Sequence, residues 1–155
     1  MIAYASRTGN VKNIVDRLNI DSYKIERGLV MDKPFILATY TDNLGDVPIG
    51  VLEFLKYNSN YKNLRGVFAS GNKNFGEHFC ASATKISEWY KVPTIRMVDL
   101  RGDSSDIKEI EKQIYKIYRG NSQPNKVYAL KLFISMLKEK GIKNIKVPTL
   151  QVLDY

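Results

Sequence analysis

A chain of 155 residues, 44% hydrophobic and 26% charged, has the size and composition of one globular domain with a single core. Its one cysteine, Cys80, and one histidine, His78, exclude a disulfide framework and a Cys/His zinc cluster within a single chain. The formal charge of +8 favours acidic partners, nucleotides among them, and residues 120–155 concentrate it, with six lysines against Glu139 and Asp154.

The first expected element is a short buried strand over residues 2–5, followed by a helix over 10–18 in which Val11, Ile14, Val15 and Leu18 recur at helical spacing. Asn10 is the candidate N-cap of that helix. Residues 22–25 give a weak second strand. The run over 34–40, PFILATY, gives a stronger third, because its apolar residues do not alternate as they would on a half-exposed sheet. Val51, Leu52, Phe54 and Leu55 predict a helix ending near Asn58, and residues 64–69 a fourth strand. After a polar loop over 70–76, the spacing of Phe79, Ala83, Ile86 and Tyr90 predicts a helix over 77–90. Residues 94–98 make a fifth strand, and the stripe of Ile107, Ile110, Ile114, Ile117 and Tyr118 a helix over 103–118. GNSQPN, residues 120–125, has the composition of a break, and Tyr128, Leu132, Ile134, Met136 and Leu137 suggest a further helix before an extended tail. No apolar stretch approaches the roughly 20 residues of a membrane span, and the first residues lack the pattern of a secretory leader. A cytoplasmic protein with no membrane partner is expected.

Strand and helix alternate five times, which predicts an α/β fold: a parallel sheet with helices on both faces, as right-handed crossovers require. Five strands fit the flavodoxin-like order 2-1-3-4-5, a three-layer sandwich whose ligands sit at the carboxyl ends of strands 1, 3 and 4. The three most polar, glycine-bearing loops follow those strands: SRTGN, TDNLGDVP and SGNKNFG.

In the first, Ser6 and Thr8 offer hydroxyls, Arg7 a charge and Gly9 a tight turn before a helix start, a combination suited to an anion. A capped turn would look the same, and the spacing is neither a Walker loop nor GxGxxG. In the second, Tyr40 beside a backbone that turns at Gly45 suits a flat redox ring, and a core aromatic would look the same. Asp42 and Asp46 read as turn residues or as a carboxylate pair. In the third, Gly71 and Gly76 bracket Asn72, Lys73, Asn74 and Phe75, so the backbone can meet a heterocycle edge while Phe75 covers its face. His78 reads as a surface residue at a helix start and Cys80 as a passive, buried thiol.

With these loops the sequence resembles the NrdI family, flavodoxin-like FMN proteins that accompany class Ib ribonucleotide reductases. The resemblance rests on SRTGN at 6–10, FILATYTDNLGDVP at 35–48 and SGNKNFG at 70–76, with support from YKVP at 90–93 and GDSSD at 102–106. It implies that Ser6, Arg7, Thr8, Gly9 and Asn10 hold the FMN phosphate, with Val11 contributing backbone only. It implies that Thr39, Tyr40, Thr41, Asn43, Leu44 and Gly45 run along the isoalloxazine, the peptide at Leu44 and Gly45 reorienting on reduction. Ser70, Gly71, Asn72, Phe75, Gly76 and Phe79 would hold the other side of the ring. The implied activity is reduction of dioxygen to superoxide for the dimanganese–tyrosyl radical site of the reductase small subunit, the NrdF type, with a separate flavin reductant. Val11 stands where ordinary flavodoxins carry a further hydroxyl, which favours the NrdI branch. Lys73 and Arg7 near the site would attract superoxide rather than repel it.

The resemblance covers residues 1–119, the expected FMN-binding domain. The basic extension over 120–155 has no counterpart in it and is expected to pack on the same domain, because its apolar residues are too many to leave in water. A flavodoxin-type electron carrier and a flavin-free binding domain are the alternatives. Nucleic acid is disfavoured as a partner, since the extension interleaves its lysines with only Tyr128, Phe133 and Tyr155.

Overall fold

The computed structural model of the protein describes residues 1–120 together with residues 137, 140 and 141. Strands β1 (Ile2–Tyr4), β2 (Ser22–Lys24), β3 (Phe35–Tyr40), β4 (Leu64–Gly71) and β5 (Thr94–Asp99) are each followed by a helix, α1 (Asn10–Leu18), α2 (Ile49–Lys56), α3 (Ala81–Tyr90) and α4 (Ser104–Gly120), except that β2 runs on to β3 with no helix between. The strands pair in parallel in the order β2-β1-β3-β4-β5, the flavodoxin-like order that the alternation predicts. Among the described residues, no helix is long and apolar enough to cross a membrane.

The sheet divides the core in two. Ile36 and Phe68 face one layer with Ile14, Leu18, Ile110 and Ile114 of α1 and α4. Their strand neighbours Leu37 and Val67 face the other, with Phe54, Leu55 and Ile86 of α2 and α3. Successive residues of β3 thus point to opposite layers and both are buried, which is why the sequence shows a continuous apolar run there instead of an alternation. Phe35, Ile36, Leu37 and Phe68 are completely enclosed, and each such side chain contributes about 1.5–3 kcal/mol of burial.

Three expected elements differ from the fold. The helix expected over 77–90 begins only at Ala81, because Gly76 (φ 55°, ψ −121°) and Cys80 (φ 52°) leave the right-handed helical region and Lys73–His78 forms a 3₁₀ turn instead. The residues Ser70 and Gly71, expected in a loop, extend β4 and pair with Val98 and Asp99. The second helix stops at Lys56, and a kinked 3₁₀ stretch, Tyr57–Asn63, follows it. There the buried Asn60 donates to the carbonyls of Leu29 and Phe54 at 2.9 and 2.8 Å and accepts from the Met31 amide at 2.8 Å, tying the β2–β3 connection to the end of α2. The helix and tail expected beyond residue 120 lie outside the described residues.

Candidate functional site

The parallel order brings the loops after β1, β3 and β4 side by side at one end of the sheet. Their walls enclose a cleft of about 240 Å³.

At its β1 side the cap of α1 is Gly9, in the left-handed region at φ 88°, and not Asn10, which is the first helical residue. Gly9 reaches that conformation without strain, but it has no side chain to satisfy the helix amides. Ser6 Oγ accepts from the Lys12 N–H at 3.2 Å and the Gly9 carbonyl from Asn13 at 3.0 Å. The N–H groups of Asn10 and Val11 have no acceptor within the helix, and they add to the positive end of its dipole. A helix start of this kind is an anion site. Arg7 crosses to the second loop, where it pairs with Asp42 and lies 5.1 Å from the centre of the Tyr40 ring.

The second loop is a closed turn. Asp42 and Asp46 exchange both backbone hydrogen bonds at 2.8 Å, and the Gly45 N–H reaches the Asp42 carbonyl at 3.2 Å. Gly45 sits at φ 97°, a conformation that favours glycine. With Asp42 held by Arg7, and Asp46 accepting from Asn43 Nδ2 at 3.3 Å with Lys85 Nζ 3.9 Å away, both aspartates act as turn residues.

The third loop is held from β5. Ser70 Oγ donates to the Leu100 carbonyl, the Leu100 N–H donates to Gly71 at 2.7 Å, and the Lys73 N–H donates to Asp99 Oδ1 at 3.1 Å. Asn72 then accepts from Asn74 through its side chain and from Phe75 through its carbonyl, at 2.9 and 3.0 Å. The turn leaves the Phe75 ring 59% exposed.

Of the site residues expected from sequence, Ser6, Arg7, Thr8, Asn10 and Val11 line the cleft from the first loop, and Tyr40, Thr41 and Asn43 from the second. Ser70, Gly71, Asn72, Phe75 and Phe79 line it from the third. Five others do not line it. Thr39 is fully buried and its hydroxyl donates to the Tyr40 carbonyl at 3.0 Å. Leu44 stands in solvent, 73% exposed. Gly9, Gly45 and Gly76 take positive φ and shape the turns.

Three lining residues lie outside the set expected from sequence: His78, Cys80 and Leu100. His78 is not at a helix start but in the 3₁₀ turn, where the kink at Gly76 redirects it. The expected helix over 77–90 hid that kink, although Gly76 signals it. Leu100 follows β5 and reads as a core residue, but its φ of 51° turns the chain, and it is 46% exposed. Nothing in its residue type announces this. Burial pushes the Cys80 thiol up to about 12, with its Sγ 3.4 Å from the Ala69 carbonyl, so at neutral pH it is a protonated, unreactive group. The cleft therefore offers unsatisfied helix amides and hydroxyls at one end, aromatic surfaces at Tyr40, Phe75 and Phe79, and turn backbone between them. That equipment suits the binding of a flat ring carrying an anionic group.

Comparison with known proteins gives the same direction. A family model described as NrdI flavodoxin like matches residues 2–112. Protein NrdI of Bacillus licheniformis is 35% identical over 122 residues, 78% of this chain and 92% of that protein. Protein NrdI of Bartonella henselae is 32% identical over 126 residues, 77% of this chain and 96% of that protein. Among solved structures, a short-chain flavodoxin associated with a bacterial microcompartment matches with a TM-score of 0.61 at 20% identity, over 78% of this chain and 97% of its own. A variant of the Fusobacterium nucleatum flavodoxin, bound to flavin mononucleotide, matches with a TM-score of 0.57 at 18% identity, over 77% and 94%. At those identities the structural likeness speaks for the fold alone.

Proposed function

This chain belongs to the NrdI family of flavodoxin-like proteins, and on that premise we propose that it binds FMN in the cleft and reduces dioxygen to superoxide. The superoxide would serve assembly of the dimanganese–tyrosyl radical centre of a class Ib ribonucleotide reductase small subunit. Bound FMN supplies the single electron that each dioxygen takes up. The protein binds, orients and limits access.

The observation that carries the reading is the glycine-capped start of α1 opening into the same cleft that Tyr40 and Phe75 wall. The amides of Asn10 and Val11 and the hydroxyl of Thr8 would hold the phosphate. Arg7, committed to Asp42 and stacked on Tyr40, joins the first loop to the second instead of meeting the phosphate alone. Phe75 and Tyr40 would flank the ring, and Asn72 and the turn at Asn43 would meet its polar edges. The charge around the turn favours an activase over a low-potential carrier. Asp42 and Asp46 are each met by a cation, Arg7 and Lys85, so their charges are offset and superoxide is less repelled at the mouth.

The test has two stages. The purified protein should take up FMN and show flavin absorbance. The reduced form, mixed with manganese(II), the small subunit and oxygen, should then generate tyrosyl radical, detected by electron paramagnetic resonance. No radical from a protein that still reduces another acceptor would replace the activase with an electron carrier.

A further inference from the structure

Helix α3 grips the second loop at two points. Ser82 Oγ shares a 2.8 Å hydrogen bond with Thr41 Oγ1, and the Ser82 N–H donates to the same oxygen at 3.3 Å. One turn later, Lys85 Nζ donates to the Gly45 carbonyl at 2.6 Å. Packing adds to the grip, since a side-chain carbon on Gly45 would stand 3.3 Å from both Ala81 Cβ and His78 Nδ1. The base of the turn is fixed as well, by the paired 2.8 Å bonds of Asp42 and Asp46.

The peptide between Leu44 and Gly45 is held less firmly. Its N–H reaches the Asp42 carbonyl at 3.2 Å, but that oxygen already accepts from Asp46 at 2.8 Å, so the longer bond is the weaker arm of a shared acceptor. The Leu44 side chain is in solvent and does not anchor it. Rotating this peptide changes φ of Gly45, the one residue type that tolerates a wide change there. Asp42, Asp46 and the Gly45 carbonyl on either side are held by short bonds, while this peptide has the weakest backbone bond in the turn.

We infer that Lys85 is a positioning residue that confines movement of the second loop to the Leu44–Gly45 peptide and thereby spaces the two one-electron potentials of the bound flavin. The inference rests on the FMN reading above. Thr41 and Asn43 of this loop line the cleft, so the conformation of the turn decides which backbone dipoles the ligand meets. A loop with one movable peptide has two discrete states and little ordering entropy to lose at each reduction step. Without the Lys85 clamp the Gly45 carbonyl is released, the loop samples more states, and the state matched to the half-reduced flavin loses its advantage.

The test compares Lys85→Met and Lys85→Arg with the wild-type protein. In the ligand-free protein, amide hydrogen exchange at Gly45 and Asp46 should quicken in Lys85→Met and return towards wild type in Lys85→Arg. The FMN dissociation constant, read from flavin fluorescence quenching, should rise severalfold in Lys85→Met, because the freed loop must be ordered again when the ligand binds. The gap between the first and second reduction potentials should narrow in Lys85→Met and recover in Lys85→Arg. Unchanged exchange overturns the clamp. Faster exchange with an unchanged or widened gap overturns its redox role while leaving the FMN reading intact. A wild-type protein that takes up no FMN overturns both.

Discussion

Gly71 ends β4 where the chain passes closest to the start of α3. A Cβ there would stand 3.2 Å from the Cys80 nitrogen, from Cys80 Sγ and from Phe79 Cδ2. The thiol and the ring can shift, but the backbone nitrogen of Cys80 is fixed by the turn that Cys80 makes at φ 52°. Gly71→Ala should therefore destabilise the protein by about 1–3 kcal/mol, the cost of overpacking a tight site, and press Phe79 towards the cleft that it lines. Thermal unfolding and an FMN titration check this, and a variant with unchanged Tm and unchanged affinity would contradict it. At this scale the sequence was informative wherever the residue type itself carries the signal. Small polar residues and glycines at the end of a strand have no business in a core, so SRTGN and SGNKNFG stood out. Leu100 did not, because a leucine after a strand reads as buried, and only its positive φ brings it to the cleft wall.

Helix α4 shows how an element far along the chain supports the cleft. Its start is a reciprocal cap: the Asp103 N–H donates to Asp106 Oδ2 and the Asp106 N–H to Asp103 Oδ1, both at 3.0 Å. Arg96 of β5 donates to Asp106 Oδ1 at 2.9 Å. Burial works to raise the Asp106 carboxyl, but the amide of Asp103 and the guanidinium of Arg96 outweigh it and hold it below its ordinary value. A carboxyl depressed in the folded state contributes stability at neutral pH that is lost as pH falls through the carboxylate range. Asp106→Asn keeps an oxygen for the Asp103 N–H but loses the charge that Arg96 meets, so it should cost about 1 kcal/mol at pH 7, and the difference from wild type should shrink in acid. Urea unfolding across the acid range measures it, and a difference that stayed constant would rule out the charge-assisted cap. The same cap fixes the loop carrying Leu100, whose N–H and carbonyl hold Gly71 and Ser70. Element boundaries followed the sequence where apolar periodicity ran uninterrupted, as in α1, whose Asn10–Leu18 bounds match its stripe. They departed from it over 77–80, because Phe79 fits the helical spacing of α3 while Gly76 and Cys80 break the backbone path.

Across the whole molecule, the charge of +8 and the open start of α1 act on a ligand in the same direction. The field of a basic protein attracts a phosphate over a distance that salt controls, whereas stacking on Tyr40 and Phe75 does not depend on ionic strength. FMN and riboflavin share the ring and differ in the phosphate, so they separate these contributions. FMN should bind more tightly than riboflavin at low salt, because only FMN meets the amides of Asn10 and Val11 and the hydroxyl of Thr8. Raising salt from about 50 mM to about 500 mM shortens the screening length from roughly 14 Å to roughly 4 Å, and FMN affinity should fall severalfold over that range. Riboflavin affinity should hardly move. Isothermal titration of both flavins across the salt series gives the answer: equal affinities with equal salt slopes would mean that the first loop is a capped turn with no phosphate to hold. A salt slope confined to FMN would assign the anion end of the cleft to the basic start of α1, where Arg101 Nε reaches Asn10 Oδ1 at 3.4 Å while Arg7 is paired with Asp42.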